Sequence, residues 1–507
     1  MDDYINTYVE DKYYSKNEFT KMSADISPLP RFSEIKAELP EPVWDNHGDE
    51  IKAYYKAWKI AFSNLGKPTK KNGFVSPYID AAFNGYIFMW DSCFMLMFGK
   101  FADRVHSFQK TLDNFYCKQE PDGFIGREIS EKTGISHFYR FDPSSTGPEI
   151  MTWCEWQYYK NYGDKERLRK VFYPLLSYHR WLKAYHRWKD GSYWSTGWGC
   201  GMDNLPRCDM DAVPGAEDWH LETYHHSFMS WVDATNQAAM ACEHLILMAN
   251  ELGITDDVQE LREEREHLIK YINEKMWDEK DRFYYDRKSD GSFLKVKSAA
   301  AFWSLVSKAA PKDRVEALCA HLEDKNEFNR VNRVPALSAD SPDFNPEGGY
   351  WNGGVWPPVV YTVLAGLTEN GKHSLAHETA VCSYKNMMRV YRETGTFWEN
   401  YAPDKTAPGK PARKDFVGWT GIIPITILIE YIFGIQSSAD KNEIVWHVNE
   451  LDRHGVKNLP FGVGASVTLI CEKRDSADEL PKITVKSDKK ITVRVIYSDG
   501  KEFTVKN

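Results

Sequence analysis

The stretch KERLRKVFYPLLSYHRWLKAYHR at 165–187, followed by WKDGSYWSTGWGCGMDNLPRCDMDAVPGAEDWHLETY at 188–224, decides the architecture. In the first part Leu168, Val171, Phe172, Leu175, Leu176, Tyr178 and Leu182 recur near helical spacing, one apolar stripe on a charged rod. In the second part that period vanishes, and Gly, Trp, Asn and Asp take over. A helix therefore runs into a long, chemically rich loop.

The same unit recurs on both sides. Helical patterning predicts about twelve helices, near 49–64, 90–103, 104–118, 148–162, 165–187, 225–252, 254–277, 296–308, 311–323, 355–369, 372–393 and 420–433. Gly253, just after ILMANEL, is placed as a C-cap. Short charged connections (GDKE at 163–166, ITDD at 254–257) alternate with long loops at 188–224, 338–354 and 394–419. Six helical hairpins closed into an (α/α)6 toroid give this alternation, with the long loops gathered on one rim. An α-solenoid is the competing layout, but no fixed-period repeat is visible. The fold class is therefore mainly α, with the helical catalytic unit at 41–437. Residues 1–40 are polar and Pro-containing and form an extended arm. Beyond about 440, IVWHV, ASVTLIC, KITVK, ITVRVIYS and EFTVK are β-rich runs, which make 438–507 a small β-sandwich-like domain. The apolar character of FGVGASVTLIC at 461–471 requires that this domain pack on the helices.

Composition narrows the function. Of 507 residues 42% are apolar and 27% charged, an ordinary globular balance, and the net charge of −9 argues against a nucleic-acid or anionic-membrane partner. The nine cysteines form no CxxC pair, and no His/Cys cluster implies a metal or cofactor. The N-terminus lacks the apolar core of a secretory signal. The run GIIPITILIEYIFGI at 421–435 contains Pro424 and Glu430 and falls short of the ~20 residues a membrane span needs. A cytoplasmic location is expected. Aromatic residues reach 14%, with 18 Trp, many beside Gly, Asn and Asp in the loops. That mixture suits a small-molecule carbohydrate substrate: aromatic faces cover the C–H face of a pyranose while carboxylates and amides bond its hydroxyls.

Five segments carry candidate chemistry: 78–94, 122–129, 191–207, 346–358 and 394–421. Singly, each has a plain alternative. Trp90-Asp91 also suits a helix start, Arg127-Glu128 a surface ion pair, and Asp203-Asn204 an Asx-type turn before Pro206. Glu399 lies between Trp398 and Asn400, a setting that tends to perturb a carboxylate. Taken together they supply the two carboxyl groups that glycoside hydrolysis requires.

These segments resemble glycoside hydrolase family 63 and, more distantly, the trehalases of family 37. WDS at 90–92, GFIGREI at 123–129 and YWNGGVWPP at 350–358 are similar to family motifs. GCGMDNLPR resembles the loop of the general acid, which maps onto Asp203, and WENYAP followed by FVGWTG resembles the general-base region, which maps onto Glu399. The resemblance spans about 80–435 and departs at Cys200-Gly201, where Ser-Gly is common, and at FVGW in place of FGW. It implies the toroid and an inverting α-glycosidase. On it, Asp91, Arg127, Glu128 and Asn352 are expected to bond hydroxyls of the bound sugar, and Trp90, Trp351, Trp356 and Trp398 to line its apolar faces. Trp419 is read as site or core, and Tyr401 and Asn400 as holding the attacking water. Arg207 orients Asp203, meets an anionic aglycone such as glycerate, or forms an ion pair that holds the loop. Two rival classes are a sugar epimerase or isomerase using His225 and His226 at a helix start, and a non-catalytic sugar-binding protein.

Overall fold

The computed structural model describes residues 9–80, 84–212 and 224–507. The first eight residues of the arm, 81–83 of the first segment and 213–223 of the loop 188–224 lie outside the described residues.

Helical turns form in each of the twelve regions that the patterning marks: α1 (Gly48–Ser63), α2 (Met89–Gly99), α3 (Asp113–Cys117, entered through a 3-10 turn), α4 (Met151–Tyr162), α5 (Lys165–Tyr185), α6 (Val232–Leu252), α7 (Val258–Tyr271), α8 (Trp303–Val306), α9 (Lys312–Glu323), α10 (Pro357–Glu369), α11 (His373–Thr394) and α12, a 3-10 turn Trp419–Ile422 running into Ile423–Ile432. Asp164 caps α5 by accepting from the backbone N–H groups of Glu166 and Arg167. Gly253 ends α6 at φ +67°, the left-handed cap that glycine adopts without strain. Helix α2 is buried over its whole length, as expected of a rod that is apolar on all sides.

Neighbouring helices form a closed circuit. Helix α2 packs on α4, α4 on α6, α6 on α8, α8 on α10, α10 on the first turn of α12, and that turn on α2. Helices α1, α5, α7 and α11 pack on members of this circuit. Most of the apolar run 421–435 forms α12, and its one carboxylate, Glu430, pairs with Lys100 and accepts from the hydroxyl of Tyr361 at 3.2 Å. Among the described residues no helix is long and apolar enough to cross a membrane.

Two four-stranded sheets follow. One holds β1 (Glu41–Trp44), β6 (His454–Pro460), β7 (Ser466–Cys471) and β8 (Ile483–Ser487), in that order and antiparallel. The other holds β4 (Ile435–Ser438), β5 (Glu443–His447), β9 (Thr492–Tyr497) and β10 (Lys501–Lys506), with β5 and β9 parallel. Strand Glu41–Trp44 and the first three residues of Ile435–Ser438 fall within 41–437, yet both strands complete sheets; at four residues neither is long enough to display a two-residue period. The arm is likewise not simply extended. It makes short turns at Tyr14–Lys16, Phe19–Lys21 and Phe32–Ile35, and buries Phe19 and Leu39. The sheets rest on the helices: β4 packs on α4, Gly462 donates its N–H to the carbonyl of Asn161 at 3.0 Å, and the Trp446 indole donates to the carbonyl of Phe433 at 2.8 Å.

Candidate active site

One cavity of about 290 Å³ draws lining residues from all five chemistry-bearing segments: Asn84, Phe88, Trp90 and Asp91; Arg127 and Glu128; Trp198, Gly201 and Asp203; Tyr350 and Trp351; Glu399, Arg413, Phe416 and Trp419. Gly147 and Pro148 complete it.

Backbone pairing assembles these segments. Strands β2 (Tyr86–Phe88) and β3 (Glu128–Ser130) pair with Phe88 opposite Glu128, and the N–H of Met89 donates to the carbonyl of Arg127 at 2.8 Å. Trp90 and Asp91, in the first turn of α2, thus come beside Arg127 and Glu128. A single helical turn, Gly197–Cys200, is capped by the Thr196 hydroxyl, which accepts from the N–H of Gly199 at 2.9 Å. Gly201 ends that turn at φ +78°, and a Cβ there would sit 2.8 Å from the Trp90 ring, so glycine meets both a backbone and a space requirement. Asn204 then ties the Asp203 loop to the neighbouring one, donating to the carbonyl of Gly349 at 3.1 Å and accepting from the N–H of Trp351 at 2.8 Å. On the far side Tyr401 pairs with Val355 through the backbone. The N–H of Glu399 donates to the carbonyl of Arg413 at 2.9 Å, and the Trp419 indole donates to the carbonyl of Glu399 at 2.9 Å.

The carboxyl groups differ in setting. Burial raises Asp203, the charges of Glu399 and Glu128 add to this, and Arg127 and the Tyr350 hydroxyl (3.5 Å away) oppose it, leaving it near 6. Glu399 is also raised by burial but is pulled back by Arg413, whose backbone N–H donates to its Oε2 at 3.1 Å. Burial, with Asp80, Glu399 and Asp203 nearby, pushes Asp91 well above the usual carboxylate range. A neutral Asp91 carboxyl can donate a hydrogen bond as well as accept one. Arg127 pairs with Glu128 at 2.9 Å and donates through Nε to the carbonyl of Ser144 at 2.7 Å.

Several residues picked from sequence lie elsewhere. Trp356 is fully buried and stacks on Trp351 at 3.9 Å, so it backs the wall rather than forming it. The Trp398 indole turns to the Thr394 hydroxyl. Tyr401 is buried, its hydroxyl accepting from the N–H of Trp398 at 3.4 Å, and Asn352 sits in the tight turn that orients Trp351; neither lines the cavity. Arg207 does not line the cavity. Its guanidinium is buried and makes four hydrogen bonds of 2.8 Å, two each to Asp233 and Asp286. His225 and His226 do not begin a helix, because α6 starts at Val232. Each ring Nδ1 instead accepts a backbone N–H two residues on, and Ser227 and Phe228 have positive φ, which no helix allows. Neither imidazole lines the cavity. Conversely, Tyr350, Arg413, Trp198, Phe88, Phe416 and Asn84 line it without having been singled out, although all fall inside the five segments. Among the described residues one group, His179, Cys242 and Glu264, has metal-ligand chemistry, but it is buried away from the cavity, with His179 held between Glu149 and Glu264 and Lys183 on Glu264.

Comparison with known proteins places this geometry. The model of the mannosylglycerate hydrolase MGH1-like glycoside hydrolase domain matches residues 85–420. A mannosylglycerate hydrolase of Thermus thermophilus is 26% identical over 57% of this chain and 83% of its own length. An uncharacterized protein of Borreliella burgdorferi is 24% identical over 76% of this chain and 80% of its own. A probable mannosyl-oligosaccharide glucosidase of Schizosaccharomyces pombe is 23% identical over 54% of this chain but only 33% of its own. The solved family 63 mannosylglycerate hydrolase of Thermus thermophilus in complex with glucose superposes with a TM-score of 0.60 at 20% identity, covering 74% of this chain and 99% of that one. Neutral trehalase of Saccharomyces cerevisiae gives 0.54 at 14% identity, covering 69% and 73%. At these identities the structural likeness concerns the fold. The family match, spanning more than half the chain and every cavity-lining segment but the edge at Asn84, establishes that the chain belongs to the MGH1-like glycoside hydrolases of family 63.

Proposed function

We propose that this hydrolase is an inverting α-glycosidase on an (α/α)6 toroid, with Asp203 as general acid and Glu399 as general base. The observation that carries the reading is the convergence of these two carboxyls, from distant loops, on one aromatic-walled cavity. Asp203, raised to about 6, keeps a proton to give to the leaving glycosidic oxygen. Glu399, held by Arg413, takes a proton from a water that attacks the anomeric carbon from the opposite face. The C–O bond to the aglycone breaks as the bond to water forms, so the configuration inverts. Trp90, Trp351 and Trp419 cover the sugar, Asp91 and Arg127 bond its hydroxyls, and Glu128 orients Arg127. Arg207 acts through the loop, fixing the segment that carries Asp203. The substrate is a small α-linked glucoside or related α-glycoside, a disaccharide, oligosaccharide or glycosyl-glycerate, in line with the relatives named for mannosylglycerate and for mannosyl-oligosaccharides. The catalytic unit is the helical circuit, supported by the two sheets. Nine free cysteines accord with a cytoplasmic setting.

The epimerase reading loses its support because His225 and His226 lie outside the cavity. A pure binding role leaves the raised acid without a purpose. Proton NMR of the first-formed product tests the proposal: an α-linked substrate should release the β-anomer, and initial release of the α-anomer would overturn inversion.

A further inference from the structure

We propose that Trp198, Phe138 and Tyr224 form an aglycone platform that binds a second pyranose, so that the preferred leaving group is a neutral sugar rather than glycerate. This rests on the assignment of Asp203 as the acid, because a general acid protonates the leaving oxygen and so faces the aglycone.

The two ends of the cavity are distinguishable. The Arg127 guanidinium lies 5.7 Å from the ring of Trp198, in the loop of Asp203, whereas Glu399 accepts the backbone N–H of Arg413 at 3.1 Å. The Arg127–Glu128 edge is therefore on the acid's side. Trp198 lines the cavity in the same loop as Asp203. Its ring lies 4.5 Å from that of Tyr224 and 6.0 Å from that of Phe138, and Phe138 and Tyr224 are 5.9 Å apart, so each ring touches the other two. The Arg127 guanidinium lies 4.8 Å over Phe138 and 5.7 Å from Trp198, joining the cluster to the acid's edge. All three rings are only partly buried, and beside Phe138 the side chain of Tyr139 is 87% exposed. These rings are not core residues. They extend the wall outward on the aglycone side, where an aromatic face packs on a pyranose.

Charge argues the same way. With Asp91 and Asp203 protonated, Glu128 and Glu399 balance Arg127 and Arg413 in the cavity, and Arg127 is already paired with Glu128, which leaves it no spare charge for an anionic aglycone. A glycerate carboxylate arriving beside Asp203 would face Glu128. Arg207, the cation the sequence offered for it, is saturated by Asp233 and Asp286.

The test compares kcat/KM for α-D-glucosyl and α-D-mannosyl fluorides, which carry no aglycone to stack, with a panel of α-linked glucosyl and mannosyl disaccharides and the two glycosyl-glycerates. Wild type, Phe138→Ala and Phe138→Trp are assayed. The best disaccharide should exceed the matching glycerate at least about tenfold, and Phe138→Ala should lower the disaccharide-to-fluoride ratio about tenfold, the low end for a lost apolar contact. Phe138→Trp, which keeps a ring, should preserve that ratio. Preference for the glycerate, or an equal loss on fluoride and disaccharide in Phe138→Ala, would overturn the platform while leaving the hydrolase intact. Failure of wild type on both fluorides and every glycoside would instead remove the glycosidase reading beneath it.

Discussion

Replacing Asp203 by Asn should abolish turnover and yet stabilise the protein, and the pH dependence of that stabilisation reports on the acid directly. Folding moves Asp203 from 3.8 to about 6, mainly through burial. Because the folded-state value is raised, the favourable contribution is complete below the unfolded value and is lost as pH rises through about 6. Above that, the folded protein holds an ionised carboxylate in a site that disfavours it. A shift of about two units corresponds to ~3 kcal/mol. For a chain of 507 residues, with an unfolding entropy of ~2.1 cal/mol/K per residue, that amounts to a Tm difference of about 3 °C. Asp203→Asn keeps the shape and removes the charge. Its Tm should match wild type at pH 4 and exceed it by about 3 °C at pH 8, measured by calorimetry on both proteins in the same buffers. Over the same range wild-type kcat/KM should fall about tenfold per pH unit above roughly 6, as the proton donor is lost. A Tm difference that does not grow between pH 4 and pH 8 would refute the account of why Asp203 stays protonated.

Asp203→Asn and Glu399→Gln should each lose at least ~10²-fold in kcat with unchanged circular dichroism, the lower range for removing a positioned acid or base; near wild-type turnover of either would refute its role. Arg207→Met should destabilise the fold by ~3–5 kcal/mol, seen as a fall in Tm, because it strands Asp233 and Asp286 as buried carboxylates without a countercharge. Gly201→Ala should cost about 1–3 kcal/mol, since its Cβ meets the Trp90 ring at 2.8 Å on a backbone of positive φ, and the displaced ring should lower kcat. An unchanged Tm in that variant would mean that the turn relaxes freely.

The helices were readable because most carry an apolar stripe at helical spacing, and α2 or α12 an apolar surface all round; periodicity survives without knowledge of partners. Glu41–Trp44 and Ile435–Ser438 were not, because a four-residue strand takes its identity from the strand it pairs with. The motifs singled out Asp203 and Glu399, and both line the cavity, although sequence spacing alone does not bring their loops together. What the chain does not write down is direction. Trp351 and Trp356 stand five residues apart in one motif, and only the stack between them shows which meets the cavity. Tyr350, beside Trp351 in the same motif, sits at a φ of +63° with its hydroxyl 3.5 Å from Asp203, and no local pattern signals that backbone for a tyrosine.

Arg207 shows how a charge in a motif can matter without lining the cavity. An arginine four residues after the acid suggests contact with substrate or acid, yet its donors are consumed by α6 and by the strand that bears Asp286. One carboxylate of that pair also accepts from the N–H of Val232, the first residue of α6. The loop carrying Asp203 is therefore pinned just after the acid, through Asn204 to the Gly349–Trp351 turn and through Arg207 to a helix start. Two holds of different chemistry follow the acid in the chain: a pair of hydrogen bonds at Asn204 that register one loop against another, and a buried ion cluster at Arg207. A carboxyl that must stay protonated cannot be gripped by strong donors of its own, because each would pull its pKa down. Fixing the backbone around Asp203 rather than its carboxyl resolves that conflict, since the side chain is positioned while only the long Tyr350 contact and the offset charge of Arg127 oppose its protonation.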